Sequence, residues 1–326
     1  MTSRMDGSML DKVLADAVGS GAVPHIAAIA ADRDGIIYEG GAGVRVAGES
    51  ADPVTTSTQF RLMSMTKMVC TTVALQQLER GQLDLDAPVD GYVPAFADVQ
   101  VLTGFDGDTP VLCSPASRAT VRQLLTHTTG LGYWFWSEDL KRFEEVTGVP
   151  NVVPGSAEAF KAPMLTDPGT RFNYGINTDW LGRVVEAIGG AGLDVLIEDG
   201  VTGPLGMADT MFRLDPDRTA NCVTVHVKGA DGGWMSAGEI LNQEPDCGPV
   251  GTGCTPRRGT TSGSSGRCCA AASWTGCGSC VRRRWTRRSA IRSASWTCRP
   301  SSPPPTRRSA TPSSSGPVSN GATACC

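Results

Sequence analysis

The amino-acid composition changes abruptly near residue 247, and this change decides which part of the chain can build a hydrophobic core. Residues 247–326 contain 12 Arg and 9 Cys but no Lys, Asp, Glu, His, Leu, Met, Phe or Tyr. The preceding body of the chain carries 17 basic and 33 acidic residues. Burial of large apolar side chains drives folding. We therefore expect one folded domain over residues 1–246 and a disordered tail over residues 247–326.

Four interpretations fit parts of this tail. A basic, Ser- and Pro-rich segment could bind nucleic acid, the cysteines around Cys277 and Cys280 could bind zinc or act in redox chemistry, and the composition could mark ordinary disorder. The fourth is a shifted reading frame in GC-rich coding DNA, and it alone accounts for the joint loss of Lys, Leu and acidic residues. We therefore assign no function to the tail.

The genetic code supports the frame-shift hypothesis. If one base is lost at the codon of residue 247, the printed CGPVGTGCTPRRGT permits W-W-A-G-G-H-G-L-Y-S-T-P-R-D. The closing SNGATACC permits Q-W-G-Y-G-L-L. A chain that lacks its intended C-terminal strands exposes sheet edges, so we expect the printed chain to fold poorly and to be nearly inactive.

The size and polarity of the chain predict a soluble cytoplasmic protein. Its 326 residues, 40% of them hydrophobic, are enough for a substantial core. The opening MTSRMDGSMLDK has no apolar run of signal-peptide length, and no segment approaches the roughly 20 apolar residues of a membrane span. We expect a small-molecule substrate and neither a nucleic-acid nor a membrane partner, and the sequence does not define the oligomeric state.

Apolar spacing in the body of the chain predicts a helix followed by a β-hairpin, which favours an antiparallel sheet. The first helix is predicted over residues 10–18, and the strands at 24–31 and from residue 36 onwards. Longer helices are predicted over residues 64–80 and 178–188, each followed by glycine. The region between them, about 90–170, is rich in Pro, Gly and aromatic residues and predicts an insertion of short helices and loops.

The residues Ser64-Met-Thr-Lys67, at the start of the long helix, are the main candidate for a catalytic site. A separation of three residues places both side chains on one helical face. A serine hydroxyl needs a neighbouring proton acceptor to be nucleophilic, and a lysine amine can serve when burial or nearby charge disfavours its charged form. The first helical turn also presents backbone N–H groups that suit an oxyanion.

Taken alone, an S-x-x-K pattern is weak evidence, because it occurs by chance in many helices. The ordinary interpretation is a serine that caps a helix and a lysine exposed to solvent. The flanks change this balance, since FRLM precedes the motif and MVCTTVAL follows it. Lys67 therefore begins a largely apolar helix, where an exposed lysine is less expected.

Four sequence blocks, in order, resemble segments typical of the serine β-lactamase-like superfamily, which includes class C β-lactamases and family VIII carboxylesterases. They read FRLMSMTKMVCTTVALQQLERGQLDLDAPVDGYVPAF, VRQLLTHTTGL, PGTRFNYGINTDWLGRVVEAIGG and GPLGMADTMF. The resemblance covers most of residues 5–246. It implies an α+β fold, in which an antiparallel β-sheet is flanked by helices and a mostly helical insertion covers the active-site cleft.

The resemblance also implies roles for three residues. Ser64 would be the acylated nucleophile, Lys67 its proton partner, and Tyr174 the general base or the acid for the leaving group. The implied reaction is ester hydrolysis through a covalent acyl-Ser64 intermediate, with no metal and no organic cofactor. The shifted frame offers W-G-Y-G where β-lactamases carry K-T-G, and the missing cation favours neutral ester substrates.

Several functions stay open beside this one. Within the superfamily they are β-lactamase, D-amino-acid peptidase and acyltransferase activity. Outside enzymes, a penicillin-binding relative without turnover is the alternative, although the joint presence of Ser64, Lys67 and Tyr174 argues against it.

Three further residues are candidates for substrate binding. Tyr133 and Trp134 follow a block that borders the cleft in the superfamily, so they could line an acyl pocket, with packing in the core as the alternative. Asn177 could bind a polar group of the substrate, but it lies one position later than the Y-x-N pattern of class C β-lactamases. A place in the cap or first turn of a helix is an equal or better interpretation for Asn177.

The histidines disfavour other hydrolytic mechanisms. The chain has only His25, His127 and His226 and no G-x-S-x-G sequence, which argues against a Ser-His-Asp triad. No His pair has metal-site spacing, which argues against a metallohydrolase. We expect His127 to be structural and His226 to lie in a strand.

Overall fold

The structure is a computed structural model, and it describes residues 7–48 and 52–238. The proposed frame shift and the candidate boundary at residue 247 lie outside the described residues. Within them, the α-helices and β-strands follow the order α1 (Gly7–Gly19), β1 (His25–Ala31), β2 (Ile36–Gly43), α2 (Thr66–Glu79), β3 (Val101–Asp106), β4 (Thr109–Cys113), α3 (Val121–Leu125), α4 (Glu138–Thr147), α5 (Asn177–Gly189), α6 (Leu193–Ile197), α7 (Pro216–Ala220), β5 (His226–Lys228) and β6 (Trp234–Ser236).

The N-terminal helix and hairpin form as the apolar spacing predicts. Strand β1 pairs antiparallel with β2, starting from His25 opposite Gly43. Helix α1 packs on this hairpin, and the Tyr38 hydroxyl on β2 donates a hydrogen bond of 2.9 Å to the Asp11 carboxylate on α1.

The core is centred on the contact between α2 and α5. Both helices present fully or nearly fully buried aliphatic side chains, namely Val73, Ala74, Leu181, Val184 and Val185. A hydrogen bond also crosses this apolar contact, because the Gln77 side chain donates to the Val185 carbonyl at 3.0 Å. The two predicted long helices are therefore confirmed, and they pack against each other.

The region predicted as helices and loops also contains a hairpin, which the prediction missed. Strands β3 and β4 pair antiparallel, with Asp106 opposite Thr109. Gly107 has a positive φ of 56°, which the tight turn requires and glycine adopts without steric cost. The Asp106-Gly107 pair is a strong hairpin signal. A prediction based on the overall Pro and Gly content overlooked it.

The fold class is α+β, as expected. Its strands form three separate two-stranded antiparallel sheets within the described residues, and His226 lies in one of them as predicted. One of the short helices expected in the region of about 90–170 is α3, which a Thr120–Gln123 capping box begins. In the part of the chain that the structure describes, no helix is both long and apolar enough to cross a membrane.

Candidate active site

Ser64 and Lys67 lie where the chain enters helix α2. Ser64 occupies a single 3₁₀ turn, Met63–Met65, directly before the helix, and its side chain faces solvent. Lys67 lies in the first turn of α2 and is only 6% exposed. The Lys67 ammonium nitrogen Nζ is 3.2 Å from Ser64 Oγ, within hydrogen-bond distance. The apolar flanks of the motif have therefore placed a buried amine next to an exposed hydroxyl.

The backbone before the serine is in a sparsely populated conformation. Met63 has a φ of +49°, in the left-handed region that residues other than glycine seldom adopt. Such conformations cluster at functional sites. The N–H of Met65 already donates to the Leu62 carbonyl at 3.0 Å. This one N–H is therefore already engaged within the turn.

Two tyrosine rings enclose the Lys67 amine. Its Nζ atom is 5.1 Å from the ring centroid of Tyr174 and 5.4 Å from that of Tyr133. The two rings meet edge to face, with centroids 5.6 Å apart. Contacts of this kind favour a cation over the face of a ring. The structure thus brings together the three residues predicted to be catalytic, and it adds Tyr133 on the same amine.

Tyr174 is held by hydrogen bonds between its own segment and the loop that follows α3. The N–H of Asn173 donates to the His127 carbonyl at 2.8 Å. Asn177, at the start of α5, accepts a hydrogen bond from the Thr129 hydroxyl. The Asn177 amide donates to the carbonyls of Leu131 and Asn173, both at 3.2 Å. The second and third sequence blocks therefore form one hydrogen-bonded unit.

This geometry corrects the expectation that Asn177 binds substrate. Its side chain is fully buried, with both the amide oxygen and the amide nitrogen engaged by protein groups. Both N–H groups of this amide are used and its oxygen already accepts a hydrogen bond, so the fully buried side chain stabilises the fold and is not exposed to a ligand. Asn177 instead occupies the first turn of α5, the alternative interpretation of the sequence.

His127 is closer to the candidate catalytic residues than the sequence suggested. Its ring centroid is 4.9 Å from that of Tyr174, with the two planes tilted by 37°. Burial, reinforced by the nearby Lys67 charge, lowers the pKa of His127 to about 4. The VRQLLTHTTGL block was the available signal for this proximity, but its histidine was interpreted as structural only.

The other predicted binding residues occupy an aromatic surface beside the site. Tyr133 is 5% exposed, and burial raises the pKa of its phenol well above the usual range, so the hydroxyl stays protonated. Trp134 is half-buried, with its ring centroid 6.3 Å from that of Tyr133. Phe135 and Trp136, next in sequence, are 52% and 72% exposed. Tyr133 thus covers the amine, whereas the following residues extend the surface outwards.

Trp134 also lines a shallow cleft of about 440 Å³ with residues of α4 and the loop after it. Burial raises the pKa of Glu144 in this cleft to about 7.

A second cleft, of about 490 Å³, lies at α6 and the segment before α7. It includes Arg218 and is far along the chain from the serine motif. Among residues 7–48 and 52–238, no group of His, Cys, Asp and Glu side chains is arranged to hold a metal ion.

Comparison with known proteins gives a consistent result. The sequence profile of the family described as Beta-lactamase matches residues 10–272. Monacolin J acid methylbutanoyltransferase from Aspergillus terreus is 36% identical over 185 residues, which cover 55% of this chain and 45% of that protein. Esterase EstB from Burkholderia gladioli is 31% identical over 235 residues, which cover 68% of this chain and 54% of that protein.

A solved structure agrees with these sequence relationships. The unliganded simvastatin synthase LovD from Aspergillus terreus superposes with a TM-score of 0.68 at 30% identity, over 77% of this chain and 65% of that one. The chain spans about half the length of the curated relatives it matches.

Proposed function

Because the chain belongs to the beta-lactamase family, we propose that it is a serine hydrolase that cleaves carboxylic esters through a covalent acyl-Ser64 intermediate. One observation carries the proposal: the buried Lys67 amine lies 3.2 Å from the exposed Ser64 hydroxyl. A nucleophile, a proton acceptor next to it and a second proton carrier are the parts that acyl transfer needs. The second proton carrier is Tyr174, whose ring packs on the same amine.

In this mechanism the Lys67 ammonium first releases one proton to solvent. Ser64 Oγ then attacks the ester carbonyl carbon while its own proton passes to the Lys67 amine. The tetrahedral intermediate then collapses, the bond to the alcohol breaks, and the leaving oxygen takes up a proton through Tyr174. Water attacks the acyl-Ser64 ester in the second half of the reaction. Its proton follows the reverse route, the carboxylic acid leaves, and the Ser64 hydroxyl is restored.

We propose that Tyr133 and Trp134 bind the acyl group. The Tyr133 ring lies 5.4 Å from the Lys67 amine, which is itself 3.2 Å from Ser64 Oγ, so this ring is close to an acyl chain bonded to Ser64. Trp134 continues the apolar surface towards the cleft beside α4. Aromatic rings bind acyl chains mainly through burial of apolar area.

The test is covalent labelling by a fluorophosphonate together with hydrolysis of a short p-nitrophenyl ester. Both are measured for the printed chain and for the product of a gene with one base restored at codon 247. We expect the restored product to be the more active one, and Ser64→Ala to abolish labelling and turnover in it. Ser20→Ala, which changes an exposed serine in the turn after α1, is the matched control. Unchanged turnover in Ser64→Ala would disprove the mechanism.

Acyl transfer to an alcohol is the second candidate function. It is favoured by the 36% identity to a methylbutanoyltransferase and by the exposed aromatic surface at Phe135 and Trp136, where an apolar acceptor could bind. The two functions differ in whether water or an alcohol attacks acyl-Ser64. Adding an alcohol acceptor and separating the products distinguishes them, because a transferase yields the new ester and a hydrolase yields mainly free acid.

The β-lactamase alternative is tested with the same proteins by measuring hydrolysis of a chromogenic cephalosporin.

A further inference from the structure

We infer that His127 is a positioning residue that holds the ring of Tyr174 beside Lys67 through both its backbone and its side chain. The inference rests on the proposed role of Tyr174 in the reaction. It goes further, because it assigns the placement of the catalytic phenol to a residue outside the Ser64, Lys67 and Tyr174 set.

The backbone contact fixes the residue that precedes the phenol. The His127 carbonyl accepts the N–H of Asn173 at 2.8 Å, and the Asn173 side chain donates to the Thr166 hydroxyl at 3.0 Å. His127 reaches this position with a φ of +54°, directly after the last turn of α3. Asn and His tolerate the left-handed region better than most residues, whereas larger side chains seldom adopt it.

The side-chain contact acts on the phenol ring itself. The imidazole lies 4.9 Å from the Tyr174 ring, and it also meets Phe172 at 6.0 Å with an angle of 60°. Tyr174 therefore has an imidazole and a second phenol, that of Tyr133, as ring neighbours, together with the ammonium of Lys67. Rings packed in this way restrict one another's rotation.

The imidazole can occupy this place because it carries no charge there. Burial and the Lys67 ammonium keep its pKa at about 4, and its buried Nδ1 has no hydrogen-bond partner among the described residues. The charged or titratable groups that face it are Lys67 and Tyr174. A neutral ring packs against the phenol without placing a second positive charge beside the amine.

The experiment is a double-mutant cycle between His127 and Tyr174, measured on whichever gene product shows the higher Ser64-dependent ester hydrolysis. His127→Asn removes the ring but suits the left-handed backbone, and we expect kcat to fall about 10- to 100-fold, with KM nearly unchanged. Tyr174→Phe removes only the hydroxyl. In that background we expect His127→Asn to cause no further loss, because it acts through the missing hydroxyl.

Two more variants keep the outcome decisive. His127→Phe restores an aromatic ring without the nitrogens, and we expect the folded variant to regain part of the kcat that His127→Asn loses, because a bulky residue is strained at a φ of +54°. His25→Asn, which changes a half-buried histidine that contacts Phe60 and His226, is the control and should leave kcat unchanged. Equal losses in both Tyr174 backgrounds, or full activity of folded His127→Asn, would overturn the inference. Failure of the proposed function is seen separately, when Tyr174→Phe alone has parental activity.

Discussion

Gly175 crosses the backbone of Gly132 so closely that a Cβ atom at position 175 would lie 2.5 Å from both Cα and the carbonyl carbon of Gly132. Real Cβ atoms essentially never approach a backbone to this distance. Gly175 directly follows Tyr174, and Gly132 directly precedes Tyr133. The two tyrosines that enclose Lys67 are therefore set side by side by a contact that only glycine permits.

Gly175→Ala should displace this crossing. We expect the free energy of unfolding to fall by about 1–3 kcal/mol, typical of overpacking, and kcat to fall because the Tyr174 ring moves away from Lys67. Urea denaturation and ester hydrolysis measure the two effects. Gly19→Ala is the control, since a Cβ there meets nothing within 4 Å and its φ is not positive. Parental kinetics in Gly175→Ala would show that the close approach of Gly175 and Gly132 does not position Tyr174 for the reaction.

Lys67→Arg should abolish turnover although it preserves the positive charge. An arginine cannot give up its proton in a protein, so the Ser64 hydroxyl loses its proton acceptor. We expect kcat/KM to fall about 100- to 10,000-fold, the usual contribution of general base catalysis. Lys12→Arg, on the exposed face of α1, is the matched control. Activity within about threefold of the parent would show that another group takes the proton.

Asn177→Leu should reduce stability rather than substrate affinity. The leucine has a similarly branched side chain but offers no hydrogen bond to the Thr129 hydroxyl or to the Leu131 and Asn173 carbonyls. Each buried unsatisfied group costs about 1–3 kcal/mol. We expect a lower midpoint in urea with KM unchanged for the folded protein. A rise in KM at unchanged stability would instead indicate that Asn177 contacts the substrate.

Glu144 should make the protein less stable as the pH rises. Its folded pKa of about 7 lies above the ordinary value of 4.5, because burial disfavours the carboxylate. Between these values the folded state binds more protons than the unfolded state, so the free energy of unfolding decreases with increasing pH. Glu144→Gln cannot ionise, and we expect it to gain stability over the parent from pH 4.5 to 7. A pH-independent difference in melting temperature would contradict this assignment.

The serine motif shows which features of the candidate site can be predicted from local sequence patterns. The apolar flanks of Lys67 predict its burial, and the three-residue spacing predicts its contact with Ser64, because both follow from helix geometry. Tyr174, more than 100 residues away, could be predicted only from the resemblance. The distances that bring its ring to the same amine depend on tertiary packing, which no local pattern encodes.

The missed features have physical reasons of the same kind. His127 contacts the site through a loop conformation with a positive φ, and loop geometry is not encoded by apolar periodicity. Asn177 was ambiguous because an amide serves equally well as a ligand or as a structural hydrogen-bonding group. The β3–β4 hairpin was hidden by a glycine and a proline within its strands, which weaken the usual strand pattern.

The packing of α2 against α5 has a consequence for heat inactivation. Ser64 and Lys67 lie at the start of one helix and Tyr174 just before the other, so the distance between these candidate catalytic residues depends in part on the contact between the two helices, across which the Gln77 side chain donates to the Val185 carbonyl. A slide of one helix along the other separates amine from phenol while both helices stay intact. The enzyme should accordingly cease to turn over at a lower temperature than the one at which its helical circular dichroism disappears.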